Sequence, residues 1–307
     1  MNPASILAPA SAEAAALSEV AWVLIVGAAA IAMLTLGLVA LALRRRRRAI
    51  PIAWWTIGGG IVFPALVVVP LLVYGIARTP HAGSSASEDA LVVTVIGRMW
   101  WWEIRYVDPG SGRTIRVANE LRVPVGRPVR LALASSDVIH SFWVPELGGK
   151  VDMVPGRVQP LRFTVERAGT YRGQCAEFCG EQHAKMALHV VADAPDAFER
   201  WLAGQASDAK APDSALLQAG RQAFLDRGCT ACHDVRGVSA GSHLGPDLSH
   251  VGSRLHLGAG VLRNVTGAPA AWITGVQALK PGAHRPAASD IDAATLTALS
   301  AYLTSLR

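Results

Sequence analysis

Two long apolar runs occupy the first quarter of the chain. One covers 23 residues, Ala21–Leu43, the other covers 28 residues, Ile50–Ala77, and neither contains a charged side chain. Each is long enough to cross the hydrocarbon core of a bilayer as a helix. We therefore predict a transmembrane hairpin over residues 21–78, preceded by an N-terminal segment of residues 1–20. A signal peptide is the alternative for the first run, but its basic cluster follows the apolar residues instead of leading them.

Five consecutive arginines, Arg44–Arg48, separate the two apolar runs. Short loops beside membrane spans collect Lys and Arg on the cytoplasmic side. The run therefore predicts a cytoplasmic arginine loop, with both termini on the opposite side of the membrane. A solvated linker is the alternative, and the position of the run between two spans disfavours it.

Short segments rich in β-branched residues follow a polar linker at Thr79–Asp89. Gly, Pro and Asp turns separate them, which is typical of strands in a sandwich or barrel. We expect an all-β domain over residues 88–205. Four of its segments read most clearly as strands: residues 91–97, 113–118, 127–135 and 159–165.

The pattern becomes helical after a second linker at Ser207–Asp213. An amphipathic segment from Ser214 leads to the sequence CTACH, and Ile291–Leu306 is a closing amphipathic segment. Apolar residues at helical spacing indicate helices that pack on a common core. We predict an all-α domain over residues 213–307.

The charge of the chain is concentrated in its membrane part. The net charge is +6, the pI is about 9.5 and the mean hydropathy is +0.31. Residues 1–80 contain six basic and two acidic side chains, whereas residues 81–207 contain 14 of each. The domains outside the membrane are therefore nearly neutral, which argues against nucleic acid as a partner.

A twelve-residue segment, CAEFCGEQHAKM, carries the most specific chemistry of the chain. It spaces Cys175, Cys179, His183 and Met186 as Cys-x-x-x-Cys-x-x-x-His-x-x-Met, and His140 lies 35 residues upstream. Thiolate, thioether and imidazole groups favour copper over hard cations. We predict a copper site at the mouth of a cupredoxin-like Greek-key domain. A disulfide between the two cysteines is the alternative, but it would leave His183 and Met186 unexplained.

A second motif, CTACH, contains Cys229, Cys232 and His233. This Cys-x-x-Cys-His pattern is typical of covalent haem c, in which both thiols bind the vinyl groups and the histidine ligates iron. A zinc or redox CxxC site is the alternative. The two motifs together use all four cysteines of the chain, which leaves no second pair for zinc. Two redox centres on one chain indicate electron transfer.

The combined motifs resemble subunit II of haem-copper cytochrome c oxidases that carry a fused C-terminal cytochrome c domain, as in caa-type bacterial oxidases. The resemblance covers nearly the whole chain. It rests on the aromatic segment GRMWWWEIRY at Gly97–Tyr106, on VIHSFWVPELGGKVDMVPGR at Val138–Arg157, and on the copper loop at Cys175–Met186. The fold it implies is a two-helix transmembrane hairpin, then an all-β cupredoxin-like domain, then an all-α cytochrome c-like domain.

The resemblance implies a binuclear copper centre, CuA, in which Cys175 and Cys179 bridge two copper ions. The other ligands would be His140 and Met186 for one ion, and His183 and the backbone carbonyl of Glu177 for the other. The carboxylate of Glu177 would also bind a magnesium ion at the boundary with subunit I, with an ordinary surface glutamate as the alternative.

Trp100 matches the tryptophan through which electrons enter this family of subunits. Alternate residues of a strand face opposite sides, so part of the Trp100–Trp102 run should point into the core. We assign electron entry to Trp100 alone. Asp152 lies in the segment that binds cytochrome c in relatives without a fused haem. In this chain the haem domain is tethered, so its high effective concentration replaces much of the need for electrostatic attraction between separate proteins.

The cytochrome segment departs from its family at one position. Relatives carry Pro-Gly-x-x-Met-Pro, whose Met is the sixth iron ligand, whereas this chain reads KPGAHRPA, with Arg285 in place of that Met. No Met follows Met186. His284 is the first candidate for the sixth ligand, and an exposed loop histidine is the alternative reading. Other candidates are His256, His243, His250, Lys280 and water.

The resemblance implies the electron-entry subunit of an O2-reducing, proton-translocating oxidase in the bacterial inner membrane, with both redox domains on the periplasmic side. Its partners would be the catalytic haem-copper subunit I, other oxidase subunits, and a donor cytochrome c or upstream respiratory complex. The order of transfer would be haem c, CuA, then subunit I. Alternatives are the CuA subunit of a nitric oxide or nitrous oxide reductase, and a membrane-anchored electron carrier.

Overall fold

The computed structural model describes residues 5–44, 51–78, 89–239, 243–284 and 290–307. Two apolar helices are followed by a β-domain and then by a mostly helical domain. This order confirms the fold class predicted from the sequence. Arg45–Arg48, Arg285 and most of the first linker lie outside the described residues, so the predictions that concern them stay predictions.

The two N-terminal helices carry the predicted membrane spans. Helix α1 covers Ala12–Arg44, and a π-helical stretch at Trp54–Val62 continues into helix α2 at Phe63–Arg78. Both helical units are long and apolar enough to cross a bilayer, by length and composition. Their large apolar side chains are mostly exposed, and such a surface requires lipid or another subunit to cover it.

Helix α1 begins nine residues before the apolar run, and the segment around its start binds the β-domain. The Ala10 N–H donates to the Glu146 carbonyl at 2.8 Å, and the Ala10 carbonyl accepts from the Glu166 N–H at 2.9 Å. The Ser11 hydroxyl donates to the Leu147 carbonyl at 2.8 Å. Ala10 and Ser11 are both buried. The N-terminal segment is therefore part of the packed β-domain as well as the lead into the membrane.

The β-domain consists of ten strands in two five-stranded sheets. One sheet has the order β3-β2-β1-β5-β8 and the other β4-β10-β9-β6-β7, with β1 parallel to β5 and β10 parallel to β4. The strands are β1 Leu91–Arg98, β2 Trp101–Val107, β3 Thr114–Ala118, β4 Glu120–Pro124, β5 Pro128–Ser135, β6 His140–Trp143, β7 Val151–Met153, β8 Gln159–Thr164, β9 Gly169–Cys175 and β10 Ala187–Asp193.

Alternating side chains from both sheets fill the space between them, as the period-two pattern of β1 requires. Trp102, Ile104 and Leu131 are fully buried in this core. The all-β expectation for residues 88–205 misses one element, helix α3 at Pro195–Ala206. It is helical because Phe198 and Leu202, four residues apart, lie on one face and pack into the same core.

In the described part of the C-terminal domain, the α-helices are α4 at Ala215–Asp226, α5 at Ala268–Leu279 and α6 at Ala293–Ser305. Helices α4 and α6 cross closely at Gly220, where a Cβ atom would lie 2.1 Å from the Ala298 carbonyl oxygen. The domain also contains a small hairpin that the all-α expectation did not include, β11 at His256–Leu257 with β12 at Leu262–Arg263. These strands are only two residues long, too short to give a period-two pattern.

Candidate redox centres

The two copper-loop cysteines lie side by side at one end of the β-domain. Cys175 ends strand β9 and Cys179 follows in the loop, and both are buried. Their sulfur atoms are 3.7 Å apart, whereas a disulfide would require about 2.05 Å. Cys175 and Cys179 therefore do not form a disulfide with each other. The two sulfurs are therefore available as ligands.

Four further donor atoms surround this sulfur pair. The Nδ1 atom of His140 lies 3.8 Å from the Cys175 sulfur, and the Glu177 carbonyl oxygen lies 3.2 Å from it. Nδ1 of His183 lies 3.5 Å from the Cys179 sulfur, and the Met186 thioether sulfur lies 3.8 Å from it. The structure thus brings together all six donors that the sequence analysis named.

Each donor is placed by a different part of the loop and sheet. His140 begins strand β6, which pairs with β9 and so adjoins Cys175. His183 opens a short 3₁₀ turn, and Met186 follows that turn directly before strand β10. The backbone N–H of Cys175 donates to the Met186 carbonyl at 2.9 Å, which closes the loop on itself. The donor set is therefore preorganised by backbone pairing.

Asp137 orients the imidazole of His140. Its Oδ1 lies 2.7 Å from Nε2 of His140, and its Oδ2 accepts from the Met99 N–H at 2.8 Å. The contact fixes Nε2 toward the carboxylate and leaves Nδ1 toward Cys175. Burial disfavours the charged imidazole, but hydrogen bonds with Asp137 and Cys175 outweigh it and raise the pKa of His140 to about 9.

The close approach of the two thiols separates their acidities. The hydrogen bond between them lowers the pKa of Cys175 to about 3 and raises that of Cys179 above its ordinary value. One thiolate beside one thiol is the stable arrangement without a cation. A bound cation supplies the positive charge that ionises both, because a coordinating thiol is deprotonated.

The donor set fits copper. Three sulfur atoms and two imidazoles are soft or borderline ligands, and the carbonyl is the only hard one. Cys175, Cys179, His140 and Met186 are all buried, so water is largely excluded from the cluster. We infer a copper site here from the chemistry of these donors.

Trp100 lies in the turn between β1 and β2, against the copper loop. Its indole N–H donates to the Cys179 carbonyl at 2.8 Å, and its ring is 8% exposed. Trp102 is fully buried in the core, as strand alternation predicts, and Trp101 is half-buried with the Arg98 guanidinium over its ring. Only Trp100 of the three contacts the copper loop through a hydrogen bond in the described residues.

The carboxylate of Glu177 points away from the sulfur pair. Its Oε2 lies 3.7 Å from the Lys150 Nζ atom, which also lies 3.8 Å from the Asp152 carboxylate. All three side chains are about half exposed. An exposed carboxylate can supply one oxygen to magnesium, and this ion takes its remaining ligands from other groups and water.

The haem motif occupies a short 3₁₀ turn and the residue that follows it. Cys229 opens the turn, Cys232 follows it, and both are half-buried. Nδ1 of His233 lies 2.7 Å from the Pro246 carbonyl oxygen, which makes Nδ1 the protonated nitrogen. Nε2 of His233 is then left as the lone-pair donor. This orientation fits an iron ligand, whose other ring nitrogen usually donates to a carbonyl.

The described candidates for a sixth iron ligand differ in what they contact. The carboxylate of Asp234 contacts His243, and His250 Nε2 lies 3.2 Å from the Ser207 carbonyl oxygen. The ring of His256 stacks on His189 with centroids 4.3 Å apart. Their rings are therefore engaged by other groups.

His284 lies beside Trp100. Its ring centroid is 5.6 Å from that of Trp100, at an interplanar angle of 53°. The remaining candidate, Lys280, is buried and donates to the Trp100 carbonyl at 2.6 Å. The segment that carries both residues therefore packs on the turn between β1 and β2.

Sequence reasoning missed two residues that shape these sites, Asp137 and Gly97, and it named Lys280 only as a candidate iron ligand. Asp137 stands three residues before His140, and a carboxylate so close to a ligand histidine is a usable signal for an orienting partner. Gly97 leaves room for the His140 ring, and Lys280 joins the two domains, but both act across long sequence separations. No local pattern identifies contacts of that kind.

Two known protein families match consecutive segments of the chain. Residues 91–193 match the family "Cytochrome C oxidase subunit II, periplasmic domain", and residues 217–307 match "Cytochrome c". Cytochrome c oxidase subunit 2 of Alkalihalophilus pseudofirmus is 34% identical over 251 residues, which cover 80% of this chain and 71% of the relative. That of Bacillus subtilis is 31% identical over 237 residues, 72% of this chain and 65% of the relative.

Among solved structures, the periplasmic domain of subunit II of cytochrome oxidase from Bradyrhizobium japonicum is 28% identical. It covers 39% of this chain and 95% of its own, with a TM-score of 0.36. The Alkalihalophilus pseudofirmus relative matches 80% of the chain. The chain therefore belongs to the cytochrome c oxidase subunit II family and carries a C-terminal cytochrome c domain.

Proposed function

We propose that this chain is the electron-entry subunit of a cytochrome c oxidase, passing electrons from haem c to a CuA centre and on to an O2-reducing subunit I. One observation carries the proposal. The six copper donors and the haem motif lie on two domains that meet at Trp100. When bound, the two metal groups supply one-electron redox chemistry.

The copper ions would be held by Cys175 and Cys179 as shared thiolates. The terminal ligands would be His140, His183, Met186 and the Glu177 carbonyl, all near the sulfur pair. Haem c would be held covalently by Cys229 and Cys232, with His233 as the iron ligand. The residues of each site are preorganised, so little reorganisation of the protein accompanies a change of charge.

Trp100 connects the two sites through the protein. Its indole N–H donates to the carbonyl of Cys179, and its ring contacts His284 of the cytochrome domain. The copper loop and the haem domain thus share one buried aromatic side chain. This double contact supports the assignment of electron entry to Trp100.

We infer that His284 is the sixth iron ligand of the haem. His284 stands one residue before the position where relatives carry Met, and this placement in the chain supports it over His243, His250 and His256. Imidazole in place of thioether lowers the haem potential, because Met/His ligation raises it.

Low-temperature EPR of the ferric protein is expected to show a low-spin bis-histidine signal at neutral pH. His284→Ala should convert this signal to high spin. Added imidazole should then change the haem potential more than it does in the unmodified protein, because it can bind iron where His284 is missing. His243→Ala is the matched control, because that half-exposed side chain contacts Asp234 instead. A high-spin signal from the unmodified protein would exclude bis-histidine ligation.

Membrane placement and partners follow from the same proposal. The two apolar helices would anchor the chain in the bacterial inner membrane, with the arginine loop cytoplasmic and both redox domains periplasmic. The Glu177 carboxylate would help bind magnesium where subunit I packs. The predicted spans contain no histidine, so O2 reduction must occur on another subunit.

Purification of the complex from native membranes tests the proposed function. We expect the chain to co-purify with a polytopic haem-copper subunit, and the complex to consume O2 with reduced cytochrome c. A partner that reduces nitric oxide or nitrous oxide instead would assign the chain to a nitrogen-oxide reductase. Recovery of the chain alone, with intact copper and haem spectra, would support a membrane-anchored electron carrier that has no fixed catalytic partner.

A further inference from the structure

One lysine of the cytochrome domain is buried against the β-domain. Lys280 follows helix α5 directly and is 3% exposed. Its Nζ atom donates to the carbonyl oxygens of Trp100 at 2.6 Å, Lys185 at 2.8 Å and Gly258 at 3.1 Å. An ammonium group has three N–H donors, and each has an acceptor here.

The three acceptors belong to three different segments. Trp100 lies in the β1–β2 turn, Lys185 in the 3₁₀ turn of the copper loop, and Gly258 in the turn of the small β11–β12 hairpin. The first two belong to the β-domain and the third to the cytochrome domain. One side chain therefore ties the electron-entry turn, the copper loop and the cytochrome domain to a common point.

A second lysine makes the reciprocal contact. The Lys185 Nζ atom donates to the Leu279 carbonyl at 2.8 Å, while the Lys185 carbonyl accepts from Lys280. Close packing continues past this pair, because a Cβ atom on Gly282 would lie 2.5 Å from the Glu181 carboxylate. We call the mutual hydrogen bonds of residues 185 and 279–280 the lysine clasp.

The clasp is costly to form, which argues for a specific role. A buried charge must be compensated by hydrogen bonds, and an apolar side chain of similar length avoids that requirement. Burial lowers the pKa of Lys280 to about 7. Three short contacts to carbonyl oxygens compensate the charge but also demand one fixed arrangement of the three segments.

We propose that Lys280 is a positioning residue for electron transfer between the haem domain and the copper loop. It holds the segment that carries His284 against Trp100. The contact between the two rings is therefore maintained, and the cytochrome domain does not have to dock again before each transfer. This inference rests on the proposed function. Lys280 donates to backbone carbonyls only, none of them a proposed metal ligand, and it acts through the contacts that it fixes.

The test uses Lys280→Met in the complete oxidase complex. A surface-bound photoreductant reduces haem c in a flash, and the haem and copper absorption bands then report the transfer rate. We expect the rate to fall about tenfold or more, because small misplacements of reacting groups carry penalties of that size. Absorption spectra and copper content should be unchanged.

Solvent viscosity separates positioning from a general loss of stability. Transfer in the unmodified complex should not depend on added glycerol, because the domains are already docked. Transfer in Lys280→Met should slow as viscosity rises, because the haem domain must diffuse back to Trp100. Lys210→Met is the matched control, since Lys210 is exposed and contacts only Asp213 among the described residues. Its rate should equal that of the unmodified complex.

Two outcomes overturn different claims. If the unmodified complex shows no haem-to-copper transfer, the proposed function itself fails. If it does, and Lys280→Met transfers at the same viscosity-independent rate, the clasp has no positioning role. Should Lys280→Met lose haem or copper, Lys280→Gln is the second variant: its amide has two N–H donors, so at least one of the three hydrogen bonds is lost, and an unchanged, viscosity-independent rate in it rejects the proposal.

Discussion

Replacing Cys179 by serine is expected to abolish turnover of the oxidase while leaving the haem spectrum intact. The Cys179 sulfur lies within 3.8 Å of the donor atoms of Cys175, His183 and Met186, so it contacts three of the five other donors. A serine oxygen is a harder ligand that copper binds less well. In the proposed relay, loss of this ligand would remove the acceptor for electrons from the haem domain.

The measurements are copper content, the haem c absorption spectrum and O2 consumption with reduced cytochrome c. We expect turnover to fall at least about a hundredfold, consistent with loss of a residue that the reaction requires. Ala184→Ser is the matched control, because it adds a hydroxyl at an exposed position of the same loop. Retained turnover of Cys179→Ser with soluble cytochrome c would refute the relay through the copper pair.

Replacing Gly97 by alanine is expected to displace His140 and weaken copper binding. A Cβ atom at Gly97 would lie 2.7 Å from Cδ2 and 2.9 Å from Cγ of the His140 ring. The ring is fully buried and held by Asp137, so it has no free space into which to move. Disturbing the support of a metal ligand costs about 10- to 100-fold in affinity.

Copper titration and the CuA absorption bands measure this effect, and thermal unfolding measures the cost to the fold. Overpacking of this kind lowers stability by about 1–3 kcal/mol. Gly148→Ala is the matched control, because a Cβ atom there meets nothing within 4 Å. Copper affinity equal to that of the unmodified protein in Gly97→Ala would show that His140 tolerates the shift or is not a ligand.

Local spacing predicted which side chains of the copper loop lie together. Cys175, Cys179, His183 and Met186 fall within twelve residues, and the structure gathers them because a tight loop joins β9 to β10. His140 was also named, since ligand residues of cupredoxin-like sites come from an earlier strand end. The two apolar helices and four of the ten strands followed from composition and periodicity alone.

Features that depend on distant contacts did not follow from the sequence. Gly97 and His140 are 43 residues apart, and Lys280 and Trp100 are 180 apart. Helix α1 begins at Ala12, before the apolar run, and Ala14 and Ser18 in this first part are buried. Hydropathy does not predict this part of the helix, because it depends on packing against the rest of the protein. Contacts between residues far apart in the sequence determine these positions, and no local sequence pattern predicts such contacts.

The hydrogen bonds at Ala10 and Ser11 have a mechanical consequence for the whole subunit. They join the β-domain to the start of α1, while the chain that leaves α2 joins the same domain at β1. A force that tilts helix α1 must therefore either move the β-domain with it or break the buried hydrogen bonds of Ala10 and Ser11.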